Sequence, residues 1–298
     1  LGRARVSTET GMRLVDVSYV ELIRTIPAPG ETWGGIGIRG INSAGNPSST
    51  IFDLDTDLLN DGSIKALADV RDTEVPNLLS ELDELARVMI KEVNLKHSQG
   101  TGIPPQNSFT SGNGHLLSGI GADITDPNEM GVTPGGTFNI SLVNITDGTP
   151  VPGGSTLPIA GGTTTIDIGA GPQTLGGIAA LINANPDIGG LVTAAVIVDT
   201  DGDPQLQVTA NNATHGIVFS NEVGNPIGEL GINNFFTGEN AGNINIRADI
   251  VANPALVATA RVRASDAGVS FNDNRNIIDM SLLAEESVAF NQAGSLSA

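Results

Sequence analysis

Apolar residues recur at steps of three and four at Val75, Leu78, Leu82, Leu85, Met89 and Val93, and Leu79, Ala86 and Ile90 widen the stripe. This spacing predicts an amphipathic helix over 76–97, roughly 33 Å long at ~1.5 Å per residue. The opposite face carries Glu81, Asp83, Glu84, Arg87, Lys91, Glu92 and Lys96, with Asp83–Arg87 and Glu92–Lys96 four apart and the acid first, the better orientation. Pro76 suits a first turn and Gly100 a stop. Upstream, Ile64, Leu67, Ala68 and Val70 predict a separate short helix or the kinked beginning of the same one. Such a stripe needs cover. The other segment of comparable helical character is Phe271 to Phe290, with Ile277, Ile278, Leu282, Leu283 and Val288. We expect the two ends of the chain to pack through these faces, with Leu82 inside the contact.

Before the helix the pattern changes. Met12, Leu14, Val15, Val17, Tyr19, Val20, Leu22 and Ile23 predict β-structure. After a Pro27–Gly30 turn, Gly35, Gly37 and Gly40 have the spacing of a dinucleotide-binding turn. That motif needs a helix to follow it, and Ile41–Pro47 is breaker-rich, so a glycine-rich strand and turn is expected. Asp53, Asp55 and Asp57 alternate with Phe52, Leu54 and Leu58. We read them as a solvated strand face, since Leu58 stands where a calcium loop needs glycine.

Beyond Lys96 the composition shifts. No Lys or Arg occurs from His97 through Ile246, which marks a domain boundary on each side. Phe138–Ile145, Thr163–Ile168, Val192–Val198, Gln205–Thr209 and Ile217–Phe219 predict short strands, and Thr174–Ala184 one amphipathic helix. Asp199-Thr-Asp-Gly-Asp203 offers carboxylates at alternate positions, but Pro204 replaces the loop glycine of a Ca²⁺ site. A hairpin turn is the simpler reading.

Charge and composition then narrow the partners. Fourteen basic against thirty-three acidic residues leave a formal charge of −19, so we expect no nucleic acid and no membrane surface as partner. No run of apolar residues is long enough to span a bilayer, and the first residues carry no Sec-type apolar region. The chain has no cysteine, which removes disulfides and thiol chemistry. His97, His115 and His215 form no metal motif, Ser118 beside His115 lies in a glycine-rich loop, and no nucleophile elbow occurs. We therefore expect no enzyme, and no catalytic, cofactor or metal residues. His97, near the helix end, is expected to act structurally as a cation facing the terminal carbonyls.

Several of these stretches resemble a known family. Gly62-Ser-Ile-Lys-Ala-Leu-Ala-Asp-Val-Arg-Asp72, Leu82-Asp-Glu-Leu-Ala86, and Glu92-Val-Asn94 with His97 and Gly100 are similar, in that order, to hook-associated protein 1 of bacterial flagella. Leu230-Gly-Ile-Asn-Asn-Phe-Phe-Thr-Gly238 and Ile244–Ala260 with Asn253-Pro254 resemble the same family's return to its stalk. Leu181-Ile-Asn-Ala-Asn185 and the strands after it resemble the flagellin hook IN motif.

The fold expected is α+β: a split stalk of long helices and β-structure with an inserted mainly-β domain. Its parts are 1–103 (stalk, β-structure then long helix), 104–234 (insertion) and 235–298 (stalk, strand and helices). The resemblance implies a structural part of the flagellum, joining hook to filament, extracellular and secreted by flagellar type III export. It implies as partners the hook protein, the adjoining junction protein, further copies in an assembled ring, and an export chaperone acting through a terminal segment. The family's terminal coiled-coil segments have no counterpart in this sequence, so a central fragment, monomeric in dilute solution, is expected. The alternative from another class is a calcium-dependent bacterial surface adhesion or carbohydrate-binding module, supported by the acidic insertion.

Overall fold

The computed structural model describes residues 6–7, 13–15, 19–24, 35–42, 44–53, 62–112, 136–158, 161–162, 164–169, 174–200, 202–287 and 290. The chain forms two compact units, Leu1–Glu81 and Leu82–Ala298.

In the first unit, β1 (Val6–Ser7) pairs antiparallel with β2 (Arg13–Val15). A second antiparallel sheet joins β3 (Tyr19–Arg24), β4 (Ile36–Ile41) and β5 (Phe52–Asp53). The glycine-spaced segment is thus the strand β4, with Gly37 and Gly40 inside it. The residues after it form a loop in which Asn42 Oδ1 accepts from the Ala44 and Asn46 amides, at 3.0 and 2.9 Å. Asp55 and Asp57 lie outside the described residues.

Helix α1 (Gly62–Asp69) runs through one wide turn, Val70–Glu74, into α2 (Val75–Ser98). In the wide turn the Val75 N–H reaches back five residues to the Val70 carbonyl. Pro76 explains it: its ring crowds the carbonyl four residues earlier and it has no N–H for the ladder, so the preceding turn opens. The upstream piece is therefore the beginning of the same helix.

In the second unit, β6 (Ser108–Thr110), β7 (Thr137–Asn144), β8 (Pro150–Ser155), β9 (Ile166–Asp167), α3 (Leu175–Ala184), β10 (Val192–Val198), β11 (Pro204–Ala210) and β12 (His215–Val223) follow in order. They make two antiparallel sheets, β10-β11-β6 and β12-β7-β8, with β9 also paired to β7. Thr174 caps α3, its hydroxyl accepting from the Gly177 amide at 3.0 Å. Alternate residues of β11 (Leu206, Val208, Ala210) are buried, as a sheet with one dry face requires. They share a core with Ile178 and Ile182 of α3, with Phe138 and Ile140 of β7, and with Phe109 and Phe219, whose rings meet edge-on at 5.3 Å.

Strand β7 is buried on both faces. Its other side, with Val143 and its neighbour Val218 of β12, packs against Ala260 and Val269, with Ile103 and Val262 beside them. Three strands differ from the sequence pattern, one that was expected and two that were not. The one predicted over Thr163–Ile168 shrinks to Ile166–Asp167, and β8 forms from a Pro- and Gly-rich segment at a sheet edge, where such residues are tolerated. Strand β6, with only three residues, is too short to show a period.

The rest is short: α4 (Pro226–Glu229), the pair β13 (Phe236–Thr237) and β14 (Asn245–Ile246), α5 (Ala248–Ala252) and α6 (Arg275–Ser281). The long helix expected over Phe271–Phe290 is corrected to this seven-residue α6 and one tight turn, Leu282–Ala284. Among its own residues only Asn276 is buried, and Glu285 and Glu286 place negative charge at the negative end of the helix dipole. The fold is α+β.

Candidate assembly site

Helix α2 has two faces with opposite fates. Ala86, Ile90, Asn94, His97 and Ser98 are buried, three and four residues apart along one side. Of the predicted stripe only Ala86 and Ile90 are on this side, and the rest of it, apart from the half-buried Val93, is on the other. Leu82, Leu85 and Met89 are 43%, 51% and 44% exposed, and Val75, Leu78 and Leu79 are exposed too. The expectation that the stripe packs against the C-terminal helix is therefore corrected. Most of the large apolar side chains face solvent, and Val88, Ile90 and a polar row hold the helix in place.

Each polar residue of that row has a specific partner late in the chain. Asn94 Oδ1 accepts from the Phe235 and Phe236 amides, both at 2.9 Å, and its Nδ2 donates to the Phe236 carbonyl at 3.0 Å. One carboxamide thereby satisfies three backbone groups where β13 begins. His97 sits 2.7 Å from the Asn233 carbonyl through Nδ1, and its Nε2 lies 2.9 Å from the Ala258 amide nitrogen. The Ala258 N–H can only donate, so Nε2 is the acceptor and Nδ1 carries the proton. Burial lowers the His97 pKa to about 4, against the opposing pull of the Asn233 carbonyl and Asp249 and with a further push down from Arg247. His97 is thus a neutral two-way strut, which corrects the cation expected at the helix end.

Asn233 returns the contact. Its backbone adopts the left-handed conformation, φ 54°, and its Nδ2 donates to the Gly100 carbonyl at 3.0 Å. Gly100 leaves no room for a side chain, since a Cβ there would lie 2.3 Å from Asn276 Nδ2. Ser98 Oγ donates to Glu222 Oε2 at 2.9 Å, and the other Glu222 oxygen accepts from the Ile227 and Gly228 amides at the start of α4. Burial raises the Glu222 pKa, opposed by these three hydrogen bonds. At the margin of the clasp, Asp83 Oδ1 accepts from the Ala241 amide at 3.0 Å, and Lys96 pairs with Glu286 at 3.3 Å.

Asn94, His97 and Gly100, singled out together in the sequence, thus meet Asn233, Phe235 and Phe236 of the second singled-out stretch. The signal for this clasp was the three-residue step from Asn94 to His97, which puts two polar side chains on one side of the helix, with Gly100 just beyond its end. Asp199–Asp203 forms the β10–β11 turn: the Asp199 amide donates to the Asp203 carbonyl and the Asp203 amide to Asp199 Oδ1, both at 2.9 Å. Asp201, His115 and Ser118 lie outside the described residues. No helix among the described residues is long and apolar enough to cross a membrane.

Residues 1–109 match the family model of the flagellar hook-associated protein FlgK helical domain. No curated protein matches the chain. The match, over 109 of 298 residues, supports a likeness to FlgK-type flagellar hook-associated proteins, and that family is a structural one.

Proposed function

We propose that this chain is a structural component of the junction between flagellar hook and filament, and that the outer face of α2 is where neighbouring subunits lie. The observation that carries this is the exposure of Leu82, Leu85 and Met89 on a helix within the matched segment. A row of large apolar side chains left in water on a well-anchored helix marks a surface that is covered in an assembly. The partners on this reading are the hook protein, the adjoining junction protein and further copies of the chain in a ring. An export chaperone and the flagellar type III route bring it to the cell exterior.

The domain division proposed is 1–103 and 235–298 as stalk, with 104–234 inserted. Its support is that the chain leaves α2 at Gly100–Thr101 beside the segments to which it returns, Asn233 and Ala260. The test is genetic, in the source bacterium. Deletion of the gene should leave hooks without filaments by electron microscopy, and Leu85→Asp should reproduce this with the protein still present by immunoblot. Filaments of normal number on Leu85→Asp cells would refute the assignment of the α2 face, and normal filaments after deletion would refute the junction role.

A further inference from the structure

Among the described residues, strand β10 is an edge of its sheet, bonded on one side to β11. An edge offers its outward N–H and C=O groups to any extended backbone that can reach them. Ala194 shows which groups point outward. Its N–H donates to Asn183 Oδ1 and its carbonyl accepts from Asn183 Nδ2, both at 2.8 Å. These groups face away from β11, and the two-residue period directs those of Val192, Val196 and Val198 the same way. The Val192 amide is already taken by the Ile188 carbonyl at 3.0 Å. Asn183 stands next to last in α3 and is itself exposed, while its neighbour Ile182 fills the core. Its carboxamide therefore lies across the edge from outside, reproducing the donor and acceptor of a neighbouring strand.

The strand so covered is Val192-Thr-Ala-Ala-Val-Ile-Val198, seven residues without a charge or a proline. Such a segment is prone to pair with its own kind. The usual guard on an exposed edge is a lysine, and no Lys or Arg occurs from His97 through Ile246. We propose that Asn183 is the guard here: it occupies the pairing position on β10 and prevents a second copy of the chain from adding its own β10 antiparallel to the first. The pairing it denies is symmetric about Ala195, with Ala194 opposite Val196 of the second copy. Nothing in this depends on the proposed use of the α2 face, which is on another element.

Because the chain has no cysteine, one introduced thiol reports the contact. Ala195 is exposed and would face its symmetry mate at a non-hydrogen-bonded position, where Cα atoms approach to about 4.5 Å. The full chain carrying Ala195→Cys is oxidised mildly at micromolar concentration with and without Asn183→Ala, and covalent dimer is read on a non-reducing gel. The guard predicts about tenfold more dimer with Asn183→Ala, from the backbone hydrogen bonds the pair gains. Asn183→Asp, which keeps the acceptor for the Ala194 amide and loses the donor to its carbonyl, should fall between. Adding Val196→Pro, which removes an outward N–H tolerated at an edge, should return the dimer to the wild-type level. Equal dimer with and without Asn183→Ala would overturn the proposal. So would dimer that Val196→Pro leaves unchanged, since that is the result of general unfolding.

Discussion

His97 carries the most specific chemistry in the chain. Its ring donates at one nitrogen and accepts at the other, so a second proton would set an N–H against the Ala258 N–H in a buried site. The consequence for stability has a definite sign. Unfolded, the imidazole takes its proton near pH 6.5; folded, only near 4. Stability is therefore full above pH 6.5 and falls as pH drops from there towards 4, because the unfolded state binds the proton first. At ~1.4 kcal/mol per unit the loss is about 3 kcal/mol. Glu222 runs the other way: its raised pKa costs stability as pH rises above the ordinary carboxylate value. Denaturant unfolding of wild type and His97→Gln at pH 7 and pH 4.5 separates the two groups. The wild type should lose more stability on acidification than the variant, and equal losses would mean that His97 titrates normally in the fold.

At the scale of elements, the helix α2 was legible and its orientation was not. Steps of three and four residues showed that 76–97 is helical, and Thr174–Ala184, Val192–Val198 and Gln205–Thr209 were likewise readable from period and β-branched content. The inward face of α2 was misjudged because periodicity reports where large apolar groups align, not which side is buried. Here the inward side carries Ala86, Val88 and Ile90 and is fixed by Asn94 and His97, whose directed hydrogen bonds outrank the bulk of Leu82, Leu85 and Met89. The step Asn94–His97–Gly100 was visible, but the partners at Asn233–Phe236 lie more than 130 positions away, where no local pattern reaches. Leu82→Asp follows from the corrected orientation. The new carboxylate remains in water, so the change in unfolding free energy should stay within about 0.5 kcal/mol, as for ordinary surface sites. A loss of several kcal/mol in a denaturant titration would restore Leu82 to a buried contact.

Over the larger unit, Leu82–Ala298, the two-sheet core and the late chain segments are coupled by a small second core and by one tight turn. Gly148, at φ 71°, leads β7 towards β8, and a Cβ there would lie 2.2 Å from the Val269 carbonyl oxygen. Gly148→Ala combines strain with that clash and should cost about 2 kcal/mol or more, read as a lowered melting temperature. An unchanged melting curve would show that the turn does not need this approach. The formal charge of −19 opposes close approach of free copies, so association must come from a surface able to outweigh it, and the outer face of α2 is the surface proposed. Met89 lies in that face, 44% exposed, and its thioether reports its own accessibility through oxidation. Mild peroxide treatment of the free chain and of isolated flagella, with Met89 sulfoxide quantified by mass spectrometry, tests the claim most directly. The account predicts rapid oxidation in the free chain and strong protection in the assembled flagellum, whereas equal rates in both would contradict it.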